Sequence, residues 1–405
     1  MNLPYFISSR ISGNVKGSFS YIISRIAVVS IAIAVGALLM AFMILLGFQN
    51  KIKDKIYSFS GHLLVGKYTL TNSFEESSFL LDEELKGQLE TTPGIAHFQS
   101  FAMRAGLLQI DGEIQGVVIK GLDHRQDSSA FYKQLVDGRM PDLSSKNYTT
   151  EVVLSKKISN ALQMSVGDEV LILFIQNPPR YRKLKIVGIY ETGLEEFDQS
   201  IVYGDLRMIR RINGWAENEV GGVEIFVQDL ATIDEIHERL FDTLGFDLFV
   251  EKVSDRYLQI FDWLALLNRN VVIFLVLILF VAGFSMVSIL LILIMERTQM
   301  VGMLKALGAS NQLIRRVFLA NGVRLVFRGL AWGNAVALGL GLMQYYGRVI
   351  PMDAASYYMD HVPIQFDLTA ILAVNALVIL LIGASLFIPL NVISRIQPIR
   401  SIRFD

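Results

Sequence analysis

The chain has 405 residues, 52% of them hydrophobic, and a formal net charge of −1. A mean hydropathy of +0.44 is too high for an ordinary soluble protein, and the near-zero charge excludes a basic field for nucleic acid. No cysteine is present, which excludes disulfides, thiolate metal sites and cysteine nucleophiles.

Residues 1–25 carry Arg10, Lys16 and Arg25 and read as a cytoplasmic, amphipathic N-terminus,. Ile26 to Phe48 has no charge and only Ser30 as a polar side chain, so residues 26–48 can span a bilayer,. The run is too long for a signal peptide, and no small-x-small pattern follows it, so it reads as a retained anchor,.

Residues 49–270 form one large insertion with mixed α and β character, expected to fold as two subdomains,. His62 to Leu70 predicts a strand, and Leu80 to Leu89 predicts a helix that stops before Pro93-Gly94. Phe101 to Ile110 and Glu113 to Lys120 flank Asp111-Gly112, a strong hairpin signal,. A short strand over Glu151 to Leu154 leads into a helix from Ser155, and strands follow at Glu169 to Ile175, Lys183 to Tyr190 and Gly222 to Val227,. Between Ile175 and Lys183, Asn177-Pro178-Pro179-Arg180-Tyr181-Arg182 reads as a stiff, projecting loop, because two prolines cannot join a strand ladder,. Ile233, Ile236, Leu240 and Leu244 mark an amphipathic helix,. Asp255 to Leu267 is helical in character and is expected to run straight into the next span, as Lys51 to Ile56 continues the first.

Residues 271–295 contain no charge and form the second span,. The loop 296–316 follows. In it Met300, Met303, Leu304 and Leu307 fall at i, i+3, i+4 and i+7 and predict one apolar helix face,. Gly308 supplies a stop and Ser310 a cap for the next helix,. The third span covers 317–347, a short loop 348–367, the fourth span 368–393, and a basic tail 394–405. Arg324 and Arg328 are expected at the interface with their heads snorkelling, and Asn334 and Gln344 are expected to hydrogen-bond neighbouring helices,. Lys and Arg crowd the termini and the 296–316 loop, so these face the cytoplasm and the insertion lies outside,. The fold class is therefore an α-helical membrane protein with four transmembrane helices and a large mixed α/β extracytoplasmic domain between the first and second spans.

No phosphate-binding loop, zinc-protease helix or nucleophile elbow occurs, and His62, His97, His124, His237 and His361 are scattered,. Neither a catalytic constellation nor a metal site is expected, and energy must come from a partner chain.

The order Glu296-Arg297-Thr298-Gln299-Met300-Val301-Gly302-Met303-Leu304-Lys305-Ala306-Leu307-Gly308 resembles the loop after the second span of FtsX-like ABC transporter permeases. Within that superfamily the chain resembles the lipoprotein-releasing permeases. The likeness extends through Gly106-Leu107-Leu108 on to Gly116 to Asp123, Ile186 to Leu194 and Tyr357 to Ile364. The resemblance implies a bacterial inner-membrane permease subunit with a MacB-like periplasmic domain. In it Glu296, Arg297, Met300, Val301, Met303, Leu304, Lys305, Leu307 and Gly308 couple to a cytoplasmic ABC ATPase dimer, which would bind the ATP and Mg. It also implies that the loop Asn177, Pro178, Pro179, Arg180, Tyr181 and Arg182 recruits a periplasmic lipoprotein carrier. A second permease chain completes the pathway, as a homodimer or a heterodimer. The lipoprotein cavity is expected where Met40, Met43, Ile44 and Phe48 face Phe280 and Phe284. Rival expectations are a MacB-like exporter of drugs, toxins or peptides, and an FtsX-like activator of a cell-wall hydrolase.

Overall fold

The computed structural model describes residues 19–68, 77–110, 113–123, 134–145, 147–353, 357 and 359–391. The N-terminal stretch 1–18, the Asp111-Gly112 turn, His124 and the tail 394–405 lie outside these residues. The chain divides into two compact units, one of long helices and one of mixed α and β structure.

Among the described residues the helical unit holds four helices long and apolar enough to cross a bilayer. The first runs Phe19–Ser60, the second Leu258–Glu296 and the third Asn311–Gly347; the fourth, Leu368–Ser385, is followed by a short turn of helix, Phe387–Leu390. The second helix does not continue directly from Asp255. A separate turn, Val253–Arg256, ends at Tyr257, whose φ of −105° and ψ of 40° interrupt the helix before it restarts at Leu258. The helices bury a shared core that includes Ile31, Val35, Leu290, Ile294, Phe318 and Val378.

The first and third helices meet at glycines. A Cβ at Gly329 would lie 2.6 Å from Ile31 Cβ, and one at Gly333 would lie 2.9 Å from the Ala32 carbonyl oxygen. Glycine at both positions lets the backbones approach, as small residues four apart do between membrane helices. The contacts advance in the same direction on both chains, so the two helices run parallel. The third and fourth helices are joined by polar groups: Asn334 Nδ2 donates to Asn375 Oδ1 at 2.7 Å, and Asn375 Nδ2 returns a bond to Asn334 Oδ1 at 3.0 Å. Gln344 does not reach a neighbouring helix. Its amide instead ties down the following loop, donating to the Ile350 and Val362 carbonyls and accepting from Ile350 N–H.

The α/β unit is built on a ten-stranded sheet. Its strands are β1 (Leu63–Lys67), β3 (Ile95–Ile110), β4 (Glu113–Leu122), β5 (Leu135–Gly138), β6 (Glu151–Ser155), β7 (Glu169–Phe174), β8 (Arg180–Tyr190), β9 (Ile201–Asp205), β11 (Gly222–Val227) and β12 (Leu248–Lys252); β2 (Phe79–Leu80) pairs with β10 (Glu219–Val220) apart from it. The order is β12-β1-β11-β3-β4-β9-β6-β8-β5, with β7 bridging β3 and β8. Pairing is antiparallel except for β4 with β9 and β6 with β8. The 16-residue strand β3 spans two cores. One gathers Leu108, Ile119, Ile186 and Ile209; the other gathers Leu63, Leu89, Ile225, Ile236 and Leu240.

Sequence signals account for several boundaries. Asp82 caps the helix Glu83–Thr91 by accepting from Leu85 N–H, and Ser155 caps Lys156–Ala161 by accepting from Ile158 N–H,. The β3–β4 hairpin closes with Ile110 opposite Glu113. The helix Leu206–Asn213 carries its own punctuation, Asp205 at the N-cap and Gly214 at φ 73° beyond its end,.

Candidate functional site

The short helix Thr298–Ala306 sits between the second and third long helices. Arg297, at φ −100° and ψ 17°, breaks the chain out of the second helix, and Thr298 Oγ1 donates to the Met295 carbonyl at 2.6 Å. The helix ends in a paired closure. Ala309 N–H donates to the Leu304 carbonyl and Gly308 N–H to the Lys305 carbonyl, with Gly308 at φ 87°. This is the Schellman arrangement, which needs a residue that tolerates the left-handed region. Ser310 then accepts from Leu313 N–H and starts the third helix.

The apolar face expected of this helix is divided. Val301 and Gly302 are buried, and Met300 and Leu304 are half-buried against the core of the helical unit. Met303 is 55% exposed and Leu307 85% exposed. Glu296 and Gly308 are exposed, and Arg297 and Lys305 half-buried. The helix thus anchors itself on one side and presents an apolar pair, one turn apart, on the other. Such a pair offers an anchor to a groove in another protein.

The second candidate is a β-hairpin. Strands β7 and β8 pair from Glu169 opposite Lys185 to Phe174 opposite Arg180. The expected loop is therefore shorter than the sequence suggests: Arg180, Tyr181 and Arg182 belong to β8, and only Asn177, Pro178 and Pro179 lie in the connection. Proline blocks pairing only at its own N–H, so the ladder resumes at once beyond Pro179. Asn177, Pro178 and Pro179 are exposed, as are Ile175 at 66% and Tyr181 at 54%. Arg180 turns inward, its Nη1 donating to the Ile212 carbonyl at 2.7 Å.

The six residues expected to line a cavity do not converge. Met43 and Phe48 are buried inside the helical unit. The Met43 carbonyl accepts from Gln365 N–H at 3.0 Å, and the Phe48 ring meets Trp263 edge-on at 5.6 Å. Met40 and Ile44 are half-buried. Phe280 and Phe284 face outward, 73% and 67% exposed, among other exposed apolar residues of the second helix such as Val276 and Leu277. A cavity of about 840 Å³ lies elsewhere, between the first and third helices; Met40 is the single member of the six that lines it, and Arg328 lines it too.

Sequence reasoning missed a buried ionic network in the α/β unit. Lys120 and Glu224 are 3% and 1% exposed and form an ion pair at 2.5 Å. Lys120 Nζ also donates to the Phe59 carbonyl, and Gln99 Nε2 donates to Glu224 Oε2 at 2.7 Å. Phe59 lies in the last turn of the first helix, where carbonyls lack intrahelical partners. The sequence signal was a lysine inside the apolar run Val117 to Leu122. Nearby, Asp198 accepts from Thr192 and Gly193 N–H, and the Thr192 carbonyl accepts from Lys55 Nζ at 2.7 Å. Burial holds the Asp198 carboxyl above its ordinary range. Among the described residues, no group of three His, Asp or Glu is poised to hold a metal.

Residues 24–241 match the MacB-like periplasmic core domain family, and residues 272–398 match the FtsX-like permease C-terminal family. The chain is 23% identical to the lipoprotein-releasing system transmembrane protein LolC of Neisseria meningitidis over 413 residues, covering 96% of each chain. It is 21% identical to the lipoprotein-releasing system transmembrane protein LolE of Haemophilus influenzae over 418 residues, covering 98% of each. Among solved structures, the periplasmic region of MacB from Actinobacillus actinomycetemcomitans aligns at 13% identity and a TM-score of 0.35, covering 49% of this chain and 91% of that one. The extracellular domain of the ABC-type transporter YknZ from Gram-positive bacteria aligns at 16% identity and a TM-score of 0.33, covering 47% and 99%.

Proposed function

We propose, because the chain belongs to the FtsX-like permeases that carry a MacB-like periplasmic core domain, that it is the membrane subunit of an ATP-driven transporter that extracts lipoproteins from the inner membrane and passes them to a periplasmic carrier. The observation that carries the reading is the short helix Thr298–Ala306, with Met303 and Leu307 held outward between two spans. The chain has no phosphate-binding loop, so a cytoplasmic ATPase dimer docking at this helix supplies the work. Likeness to LolC and LolE over nearly the whole length supports lipoproteins as the substrate class.

The energetics call for such a machine. Withdrawing acyl chains from lipid costs about 0.8 kcal/mol per CH₂, so a multiply acylated anchor does not leave unaided. The exposed aromatic face of the second helix, with Phe280 and Phe284, offers apolar surface to those chains and to a second permease chain. The tip of the β7–β8 hairpin, with Pro178, Pro179 and Tyr181, offers an exposed contact for the soluble carrier,.

The test is reconstitution in proteoliposomes with the cognate ATPase, a triacylated lipoprotein and the carrier. ATP-dependent transfer of lipoprotein to the soluble fraction is expected. Replacing 175–179 with a short Gly-Ser turn is expected to spare ATPase activity and abolish transfer. ATP hydrolysis with no lipoprotein release would overturn the reading.

A further inference from the structure

The cavity between the first and third helices is a one-sided groove. Among the described residues sixteen line it, and none of these is acidic. Its polar members, Tyr21, Ser24, Arg25 and Arg328, collect at the N-terminal end of the parallel pair. Arg25 and Arg328 are both exposed, and the Arg25 guanidinium lies 5.6 Å from the centre of the Tyr21 ring. Beyond them the lining is apolar through Val29, Trp332 and Val336 as far as Met40.

From Val28 to Met40 the apolar stretch is about 18 Å long at the helical rise. One leaflet of hydrocarbon is roughly 15 Å deep. The small residues Ala32, Gly36 and Ala37 line it together with the larger Trp332, Val336 and Leu340. A slot of this length, with two arginines at one mouth, matches one molecule: an amphiphile with an anionic head and an extended chain.

We propose that this groove binds a phospholipid with an anionic head group, its phosphate held between Arg25 and Arg328 and one acyl chain laid along the groove toward Met40. Basic pockets between membrane helices favour such heads over zwitterionic ones. The leaflet concerned is the one at the N-terminal end of the first helix, which is the cytoplasmic leaflet in the orientation proposed above. The binding itself does not rest on that orientation, nor on the transport reading.

Trp332 lines the groove and reports on its occupant. The chain has three tryptophans, so a Trp215→Phe/Trp263→Phe variant leaves Trp332 as the sole emitter. In nanodiscs, brominated phosphatidylglycerol is expected to quench Trp332 at about one-tenth the mole fraction that brominated phosphatidylcholine requires. Arg25→Gln/Arg328→Gln is expected to bring the two within about twofold. Equal quenching by both lipids in the unmodified groove would reduce the site to ordinary boundary lipid and overturn the proposal. Should the reporter variant not fold, mass spectrometry of the intact wild-type protein in detergent decides. Retention of phosphatidylglycerol, lost in the double arginine variant, supports the site; retention of no lipid, or of both lipids alike, overturns it. Neither assay contains ATPase or lipoprotein, so failure here leaves the transport reading untouched.

Discussion

Lys120 and Glu224 show how a buried charge pair constrains its neighbours. Removing one partner from such a pair typically costs about 3–5 kcal/mol, because the other stays buried and uncompensated. Lys120→Met is therefore expected to destabilise the protein by that amount. Lys120→Met/Glu224→Leu is expected to recover most of the loss, since both ionic groups leave together. Thermal unfolding followed by near-ultraviolet circular dichroism compares the three proteins; equal losses in the single and double variants would show that the bond to the Phe59 carbonyl matters more than the ion pair. His62 gives a second residue-scale prediction. Burial, and then the charge of His97, lower its pKa to about 4 from the ordinary 6.5. Its Nδ1 accepts from Val227 N–H at 3.0 Å, which fits the neutral ring. Below pH 6.5 the unfolded chain takes up a proton that the folded ring refuses, so stability falls as pH drops from 6.5 toward 4 and is unaffected by this group above that window. His62→Gln can still accept the Val227 bond and is expected to flatten the decline in melting temperature across that range.

At the scale of elements, the short helix separates two kinds of apolar residue that sequence spacing groups together. Leu307→Asp is expected to abolish copurification of the ATPase while the protein keeps its thermal stability. Val301→Asp, on the buried side, is expected to lower stability instead. If Leu307→Asp binds and couples normally, this helix is not the docking element. The stop at Gly308 and the cap at Ser310 were legible in the sequence, because each follows from the local chemistry of one residue. Which face of the helix would turn inward was not, because periodicity gives spacing and is silent about which side meets the rest of the bundle. The same limit explains the cavity residues. Met43 and Phe280 are equally apolar in sequence, yet one is buried and the other exposed. The start of β8 was hidden for another reason: the two prolines suggested a longer break than their missing N–H groups impose. Gly329 and Gly333 carried a readable four-residue spacing, but their partners Ile31 and Ala32 lie far away in the chain.

For the whole molecule, length alone separates the helices. The first three are about 55–63 Å long at 1.5 Å per residue, about twice the hydrocarbon thickness, so each extends well beyond the bilayer, whereas the fourth is about 27 Å,. The four spans and the inserted α/β domain were legible because uncharged runs of such length have one stable solution in lipid. Orientation is directly testable, since the chain lacks cysteine. A cysteine at exposed Ser145 in the α/β unit is expected to react with an impermeant thiol reagent in spheroplasts, and one at exposed Ala306 only after lysis. The opposite pattern would invert the proposed topology.

The pairing of the first helix with the third has a consequence for the order of assembly during synthesis. Gly329 and Gly333 leave the ribosome roughly 300 residues after Ile31 and Ala32, a delay of about 15–60 s at ordinary elongation rates,. Every strand of the ten-stranded sheet lies within that interval, and β1 pairs with both β11 and β12 near its close. The sheet can therefore be complete before the glycine face exists. Meanwhile the waiting side of the first helix, Ala27, Ile31 and Val35, is apolar and can rest against lipid without penalty,. The α/β domain is therefore expected to mature first, with closure of the helical bundle as the late step of biogenesis.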